Sequence, residues 1–470
     1  MTVGPVPAVG ATLASVLEPT SVGEFLAETW ERRPAVYHRH RDDVPPILTT
    51  LDVDRLISAG IVDQQDGRAV RAGRVDPHTP LFHGDGRANI AAFGEAYAGG
   101  CTIVVNNVHQ RHPGMAALAR DIEIAVGQPV GANVYLSPPR AQGLAPHFDN
   151  HDVLVVQCEG RKTWKVFDPL VELPLPDQHF DVREEQLGPP IAEYVLEPGD
   201  VLYLPRGYVH VAMTDDLRSL HVTFGMSAYR LYDVLAKALF LLACRDVEFR
   251  KATPTSLLGP PGTGGEPPAA LVELVGRFAS SVDLGAAMDE VRADLLARLH
   301  PLPDWTIGGL DAIDAVEGDT PVRRRAGAVC SVVEVGDVAI LQFPGNAISA
   351  PLAAGPGLRF IAATDRFHAD ELPDSLTPQA KIVLTRRLVM AGLLVPEPPS
   401  EEHPHLLHVL PAPHPHEDVA DAGPQVPLAQ NGRQGPDVVD GDGPDLDRVG
   451  PDGGGAPGQA TAGEHLRGSV

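Results

Sequence analysis

The chain has 470 residues, long for a single core, and carries 37 Lys and Arg against 62 Asp and Glu, a formal charge of −25. At ~150 residues per domain about three domains are expected, and 43% hydrophobic with 21% charged residues excludes a fibrous or wholly disordered chain. So acidic a balance disfavours duplex DNA, whose binding needs a cationic surface to release counterions, and suits a basic protein partner.

The cysteines, Cys101, Cys158, Cys244 and Cys330, lie far apart with no CxxC pair, against a zinc ribbon or a disulfide framework and in keeping with a reducing compartment. The first twenty residues lack the basic and unbroken apolar regions of a signal peptide, and no stretch reaches ~18 uninterrupted apolar residues. The expectation is a cytoplasmic protein without a membrane span.

In chain order, SVGEFLAETWERR reads as a short helix capped by Ser21, with Glu24 closing a capping box. From Cys101 onward come the short β-rich runs CTIVVNNV, GANVYLSP, DVLVVQCEG, TWKVFDP, DVLYLPRG and SLHVTFGM. Turn residues separate them and one helical run, GMAALARDIEIAVG, interrupts them. That pattern predicts an all-β barrel with helical decoration over residues 1–226.

Residues 227–305 carry two amphipathic helical stretches, AYRLYDVLAKALFLLACRDVEFRK and ALVELVGRFASSVDLGAAMDEVRADLLARLHP, around a Gly/Pro-rich loop at 253–270. They fit either a packed helical subdomain or a dimer surface. Over 306–396 a strand pair turning at Val335-Gly336-Asp337 and a helix entered at Ser375-Leu376-Thr377-Pro378 and stopped near Gly392 predict a small winged-helix-like α+β domain. The run Arg323-Arg324-Arg325 is expected on a solvated face. Residues 397–470, rich in Pro, Gly, Asp and His and without periodicity, read as a disordered acidic tail.

The chemistry concentrates in AQGLAPHFDNHDVLVVQCEG and PGDVLYLPRGYVHVAMT. On a strand His147 and Asp149 share a face and can present an imidazole and a carboxylate to one ion. His210, framed by Gly199, Pro205 and Gly207, follows a strand and a tight turn in the manner of a second cupin motif. Two histidines and a carboxylate make a facial triad that leaves positions open on a six-coordinate metal, which suits non-haem Fe(II). His151 looks like a turn residue and His221 like a packed, hydrogen-bonded core histidine, so both stay outside the triad.

NVYLSPPRAQGLAPHFDNHDVLVVQCEGRKTWKVF and GDVLYLPRGYVHVA resemble the JmjC-type cupin-4 group of 2-oxoglutarate oxygenases, the ribosomal-oxygenase family. The likeness is dense over about residues 95–225 and extends loosely to FLAETWERRPAVYHR, similar to the family's WE-x-x-P segment. It implies a mainly β, double-stranded β-helix barrel, then a helical dimerisation region and a winged helix. It puts the iron ligands on His147, Asp149 and His210, and the basic and tyrosine partners of the 2-oxoglutarate carboxylate on Lys162 and Tyr135. A buried distal carboxylate does need a compact cation and a hydroxyl donor. Asn133 shares a strand face with Tyr135 and is a further candidate for that pocket.

The resemblance implies hydroxylation of an Arg or His side chain on a ribosomal protein by a homodimer, with release of succinate and CO2. Alternatives are a biosynthetic peptide or small metabolite as substrate, a metal-dependent cupin that uses no 2-oxoglutarate, and a non-catalytic reader using the winged helix as a nucleic-acid module. The intact triad and the charge speak against the last.

Overall fold

A computed structural model describes residues 2–3, 11–38, 46–72, 74–75, 80–178, 182–253, 269–302 and 313–397. All of the expected acidic tail beyond Glu397 and nearly all of the loop at 253–270 lie outside the described residues. The N-terminal elements are β1 (Thr2–Val3), α1 (Leu13–Leu17), α2 (Val22–Glu28), β2 (Ala35–Tyr37), α3 (Thr50–Ser58), β3 (Gly67–Arg71), β4 (Arg74–Val75) and α4 (Ile90–Ala98). Then come β5 (Thr102–Val105), α5 (Pro113–Val126), β6 (Val130–Ser137), β7 (Asp152–Gly160), β8 (Lys162–Pro169), β9 (Ala192–Leu196), β10 (Val201–Leu204), β11 (Tyr208–Met213) and β12 (Ser219–Met226). Helices α6 (Leu231–Arg245), α7 (Ala269–Ser281) and α8 (Leu284–Arg298) follow. The last elements are β13 (Pro321–Arg324), β14 (Val329–Val335), β15 (Val338–Phe343), β16 (Asn346–Pro351), α9 (Gly355–Ala363), β17 (Arg366–His368), α10 (Pro378–Met390) and β18 (Leu394–Pro396).

The barrel is mainly β, as expected. An eight-stranded antiparallel sheet in the order β2-β10-β7-β12-β6-β5-β3-β4 is accompanied by the three-stranded sheet β11-β8-β9. Burial of both faces explains why β7 reads as an almost unbroken apolar run. Leu154, Val156 and Cys158 pack with Met115, Leu118 and Ile122 of α5, while Val153 and Val155 pack with Trp164 and Val166 of β8. The β7–β8 hairpin turns at Gly160, whose φ of +63° and closeness to the Arg218 carbonyl leave no room for a side chain.

The WE segment docks on this barrel through a buried network. Trp30 stacks on Tyr203 at 5.9 Å, the Tyr203 hydroxyl donates to Asp152 at 2.8 Å and accepts from the Glu31 N–H at 2.9 Å, and Arg206 pairs with Asp152 at 2.7 Å. Asp152 is wholly buried, and burial pushes its pKa up against the pull of Arg206. Asp152→Asn, which keeps the shape but removes the charge opposite Arg206, is expected to cost about 1–3 kcal/mol of stability, read as a lowered urea midpoint at unchanged m-value.

Several expectations change in detail. Ser21 caps α2 by accepting from the Glu24 N–H at 3.2 Å, one half of the expected capping box. The long helical run after residue 269 divides into α7 and α8 because Asp283 caps a new helix, its Oδ1 accepting from Ala286 N–H at 2.9 Å. The arginine run is not a solvated face. Arg324 is 2% exposed and donates to the Ala362 carbonyl and to Asp365, and Arg325, also buried, donates to the Gly392 carbonyl at 3.2 Å. Alternation along β13 turns Arg324 inward, where these acceptors satisfy it.

In the C-terminal part β14 and β15 pair from Ser331 with Gln342 to Val335 with Val338, as the turn at Gly336-Asp337 predicts. Thr377 caps α10 and Gly392, at φ +81°, follows its end. The sheets β1-β14-β15-β16 and β17-β13-β18 enclose a core with Leu358, Ile361 and Leu388 of α9 and α10.

Candidate metal centre and cosubstrate cavity

His147 and Asp149 do not sit on a regular strand. The segment from Pro138 to His151 touches the small sheet only at isolated bridges, Gln142 with Met213 and His147 with His210. The second bridge builds the site. His147 and His210 exchange backbone bonds of 3.2 and 2.8 Å, bringing their rings to 4.4 Å. Gly207, at φ +94° with the Val171 carbonyl where a Cβ would go, makes the turn into β11 and donates its N–H to the Asp149 carbonyl at 3.0 Å.

One nitrogen of His147, one of His210 and one Asp149 oxygen lie within 4.8 Å of one another. His147 Nε2 is 4.0 Å and His210 Nε2 3.6 Å from the Asp149 carboxylate oxygens. The two Nδ1 atoms approach the carbonyls of Ala145 at 2.8 Å and Tyr208 at 3.1 Å, which fixes those nitrogens as donors and leaves both Nε2 lone pairs for a metal. Burial, helped by His147, pushes His210 down to about 4 against the pull of Asp149, so it is neutral at physiological pH. For Asp149 burial acts upward, but His210, His151 and His147 together hold it below the usual carboxylate range. Two imidazoles and one carboxylate, with open space beside them, fit the donor set of Fe(II).

That space is a cavity of about 350 Å³ holding all six residues singled out in the sequence. Lys162, at the start of β8, is 4% exposed and donates to Ser137 Oγ at 3.0 Å, which lies 2.9 Å from Thr102 Oγ1. Burial pushes the Lys162 ammonium down to about 7. Burial and the charge of Asp149 push the Tyr135 phenol up to about 12, keeping it a neutral donor. Asn133 lines the cavity but is partly committed, its Oδ1 accepting the Asn107 N–H at 3.0 Å. A buried lysine with no carboxylate partner among the described residues, beside a phenol, fits the distal carboxylate of 2-oxoglutarate.

His221 is buried as expected, stacked on Tyr135 at 4.9 Å and 5°, and Lys162 adds to the burial that lowers its pKa. The expected hydrogen bond is missing at Nδ1, and the ring lines the cavity. His151 lines it too. Ser137 was missed, although its place two residues beyond Tyr135 on the same face of β6 could have signalled it. Arg68, Thr102 and Trp164 carried no such signal, because only strand pairing and the approach of β8 bring them to the cavity.

The family model described as JmjC domain matches residues 109–234, the stretch that carries the triad, Lys162 and Tyr135. The chain is similar to ribosomal oxygenase 1 of Danio rerio, 31% identical over 313 residues covering 61% of this chain and 56% of that protein. It is also similar to the bifunctional lysine-specific demethylase and histidyl-hydroxylase NO66 of Aedes aegypti, 34% identical over 224 residues, 46% of this chain and 34% of that one. The chain thus spans about half the length, or less, of the curated relatives it matches. Among solved structures it resembles the ribosomal oxygenase YcfD of Escherichia coli in complex with cobalt and 2-oxoglutarate. The TM-score is 0.50 over 81% of this chain and 99% of that one, at 20% identity, a likeness of fold.

Proposed function

We propose that the chain is an Fe(II)- and 2-oxoglutarate-dependent dioxygenase that hydroxylates an Arg or His side chain of a protein, most plainly a ribosomal protein, releasing succinate and CO2. One observation carries this reading: a two-histidine, one-carboxylate centre opens onto the same cavity as the buried Lys162 and Tyr135. Bound iron and 2-oxoglutarate would supply the oxidising chemistry. His147, Asp149 and His210 would hold the metal, and Lys162 and Tyr135 would hold and orient the distal carboxylate. Val153, Val155 and Trp164 wall the cavity with apolar surface that excludes water.

The relatives named as ribosomal oxygenases support a ribosomal protein substrate, and a charge of −25 suits so basic a partner. The test is 2-oxoglutarate decarboxylation by the iron-loaded protein, comparing wild type with Lys162→Ala. Succinate formation by the wild type and its loss in the variant are expected. Iron bound at the triad without 2-oxoglutarate turnover, even with ribosomal proteins added, would favour a cupin of other chemistry.

The reading extends to a homodimer through residues 227–305 and to a winged-helix-like domain over 306–396. Support for the first is that α6 buries only Ala238, while Leu231 is 85% and Phe240 63% exposed. Light scattering is expected to give twice the monomer mass, and Leu231→Glu with Phe240→Glu to give the monomer. We place the protein in the cytoplasm, where its substrate would be and where four free cysteines are in keeping. Among the described residues no helix is long and apolar enough to cross a membrane.

A further inference from the structure

Among the described residues Arg68 is the one cavity-lining arginine or lysine that the proposed chemistry does not use. It lies on β3 directly opposite Val104 of β5, which is in turn opposite Tyr135 of β6, so its side chain reaches across Val104 toward the phenol. Its charge is felt there, pulling the Tyr135 pKa down. Among the described residues its side chain makes no hydrogen bond or ion pair, and its Nε is buried without a partner. Among the described residues the only carboxylate lining the cavity is Asp149, one of the proposed metal ligands.

The geometry points to Arg68 as a specificity-determining residue: we propose that it excludes guanidinium and ammonium side chains and admits a neutral imidazole, making histidine the target. This rests on the hydroxylase reading above. A substrate arginine would bring a permanent cation into a partly dry cavity that already holds Arg68 and Lys162 and, among the described residues, offers no free carboxylate. A histidine can leave its proton in solvent and enter neutral. The Arg68 guanidinium, with donors to spare, can then point one N–H at an imidazole lone pair or a main-chain carbonyl of the substrate.

The test uses the full chain loaded with Fe(II) and 2-oxoglutarate, incubated with total ribosomal protein from a strain lacking the enzyme. A second incubation uses total soluble protein from the same strain. Succinate is measured in each tube and +16 Da sites are mapped by mass spectrometry. Wild type is expected to modify histidine and not arginine. Arg68→Glu should raise arginine products roughly tenfold or more, because the like charge has become an opposite one. Arg68→Lys, which keeps the cation, should retain the histidine preference at a melting temperature close to wild type and so guards against a misfolded Arg68→Glu. Arginine hydroxylation by wild type, or an unchanged target type in a folded Arg68→Glu, would overturn the assignment. A wild type that makes no succinate in either incubation would instead overturn the oxygenase reading on which it rests. Histidine products found only in the soluble-protein incubation would support the charge rule and remove the ribosomal substrate.

Discussion

His147→Ala and Asp149→Ala are each expected to lower iron affinity by more than ~100-fold and to abolish 2-oxoglutarate turnover, with the fold intact. Loss of a residue that merely orients a ligand costs ~10–100-fold in metal affinity or activity, so loss of a ligand should exceed that. These positions are preferable to His210, which is 5% exposed and whose truncation would also leave a void between β8 and β11. His147 and Asp149 have side chains 33% and 27% exposed, so shortening them empties little of the core. The bridge that shapes the site is made of backbone bonds, which alanine keeps. Anaerobic Fe(II) titration, with circular dichroism as the control for folding, reads the result. A variant that keeps near-wild-type iron affinity would mean that the metal is held elsewhere.

The barrel was legible because its strands are long, apolar and bounded by turn residues, and because β7 is buried on both faces. The triad was legible for a more specific reason. A His-x-Asp pair followed some sixty residues later by a histidine behind a glycine–proline turn is a pattern that chance seldom assembles with that framing. Sequence periodicity placed His147 and Asp149 on a strand, whereas one bridge to His210 does that work. A single pair of backbone bonds leaves no periodic trace in the text. The short strands β2, β3, β9, β13, β17 and β18 escaped for a related reason. Each is five residues or fewer, too short to show alternation, and is fixed by its neighbours in the sheet. Arg68 went unseen with them, since only the pairing of β3 with β5 carries it to the cavity. Arg324 shows the opposite error: three consecutive arginines look solvated until β13 turns the middle one toward Ala362 and Asp365.

Lys162→Met is expected to weaken 2-oxoglutarate binding by roughly 30- to 5,000-fold, the range for losing one partner of a buried charge pair at ~2–5 kcal/mol. Methionine keeps an unbranched side chain of similar length, and among the described residues only Ser137 loses a hydrogen-bond partner, so iron binding at the triad should be unchanged. The same lysine predicts a pH signature. Burial has pushed its pKa from 10.5 down to about 7, so above neutrality the free protein loses the charge that the carboxylate needs. Affinity for 2-oxoglutarate or succinate should therefore be flat below about pH 7 and fall by about tenfold per unit above it, with proton uptake on binding. Calorimetry of succinate binding in two buffers of different ionisation enthalpy reads that proton directly. For the unliganded protein the sign reverses. The unfolded chain holds the Lys162 proton up to its ordinary pKa while the folded chain sheds it from about 7, so this group makes stability rise between those limits. Lys162→Met should remove that rise, and a wild type whose succinate affinity did not fall from pH 7 to 9 would show that Lys162 is not the cation facing the carboxylate.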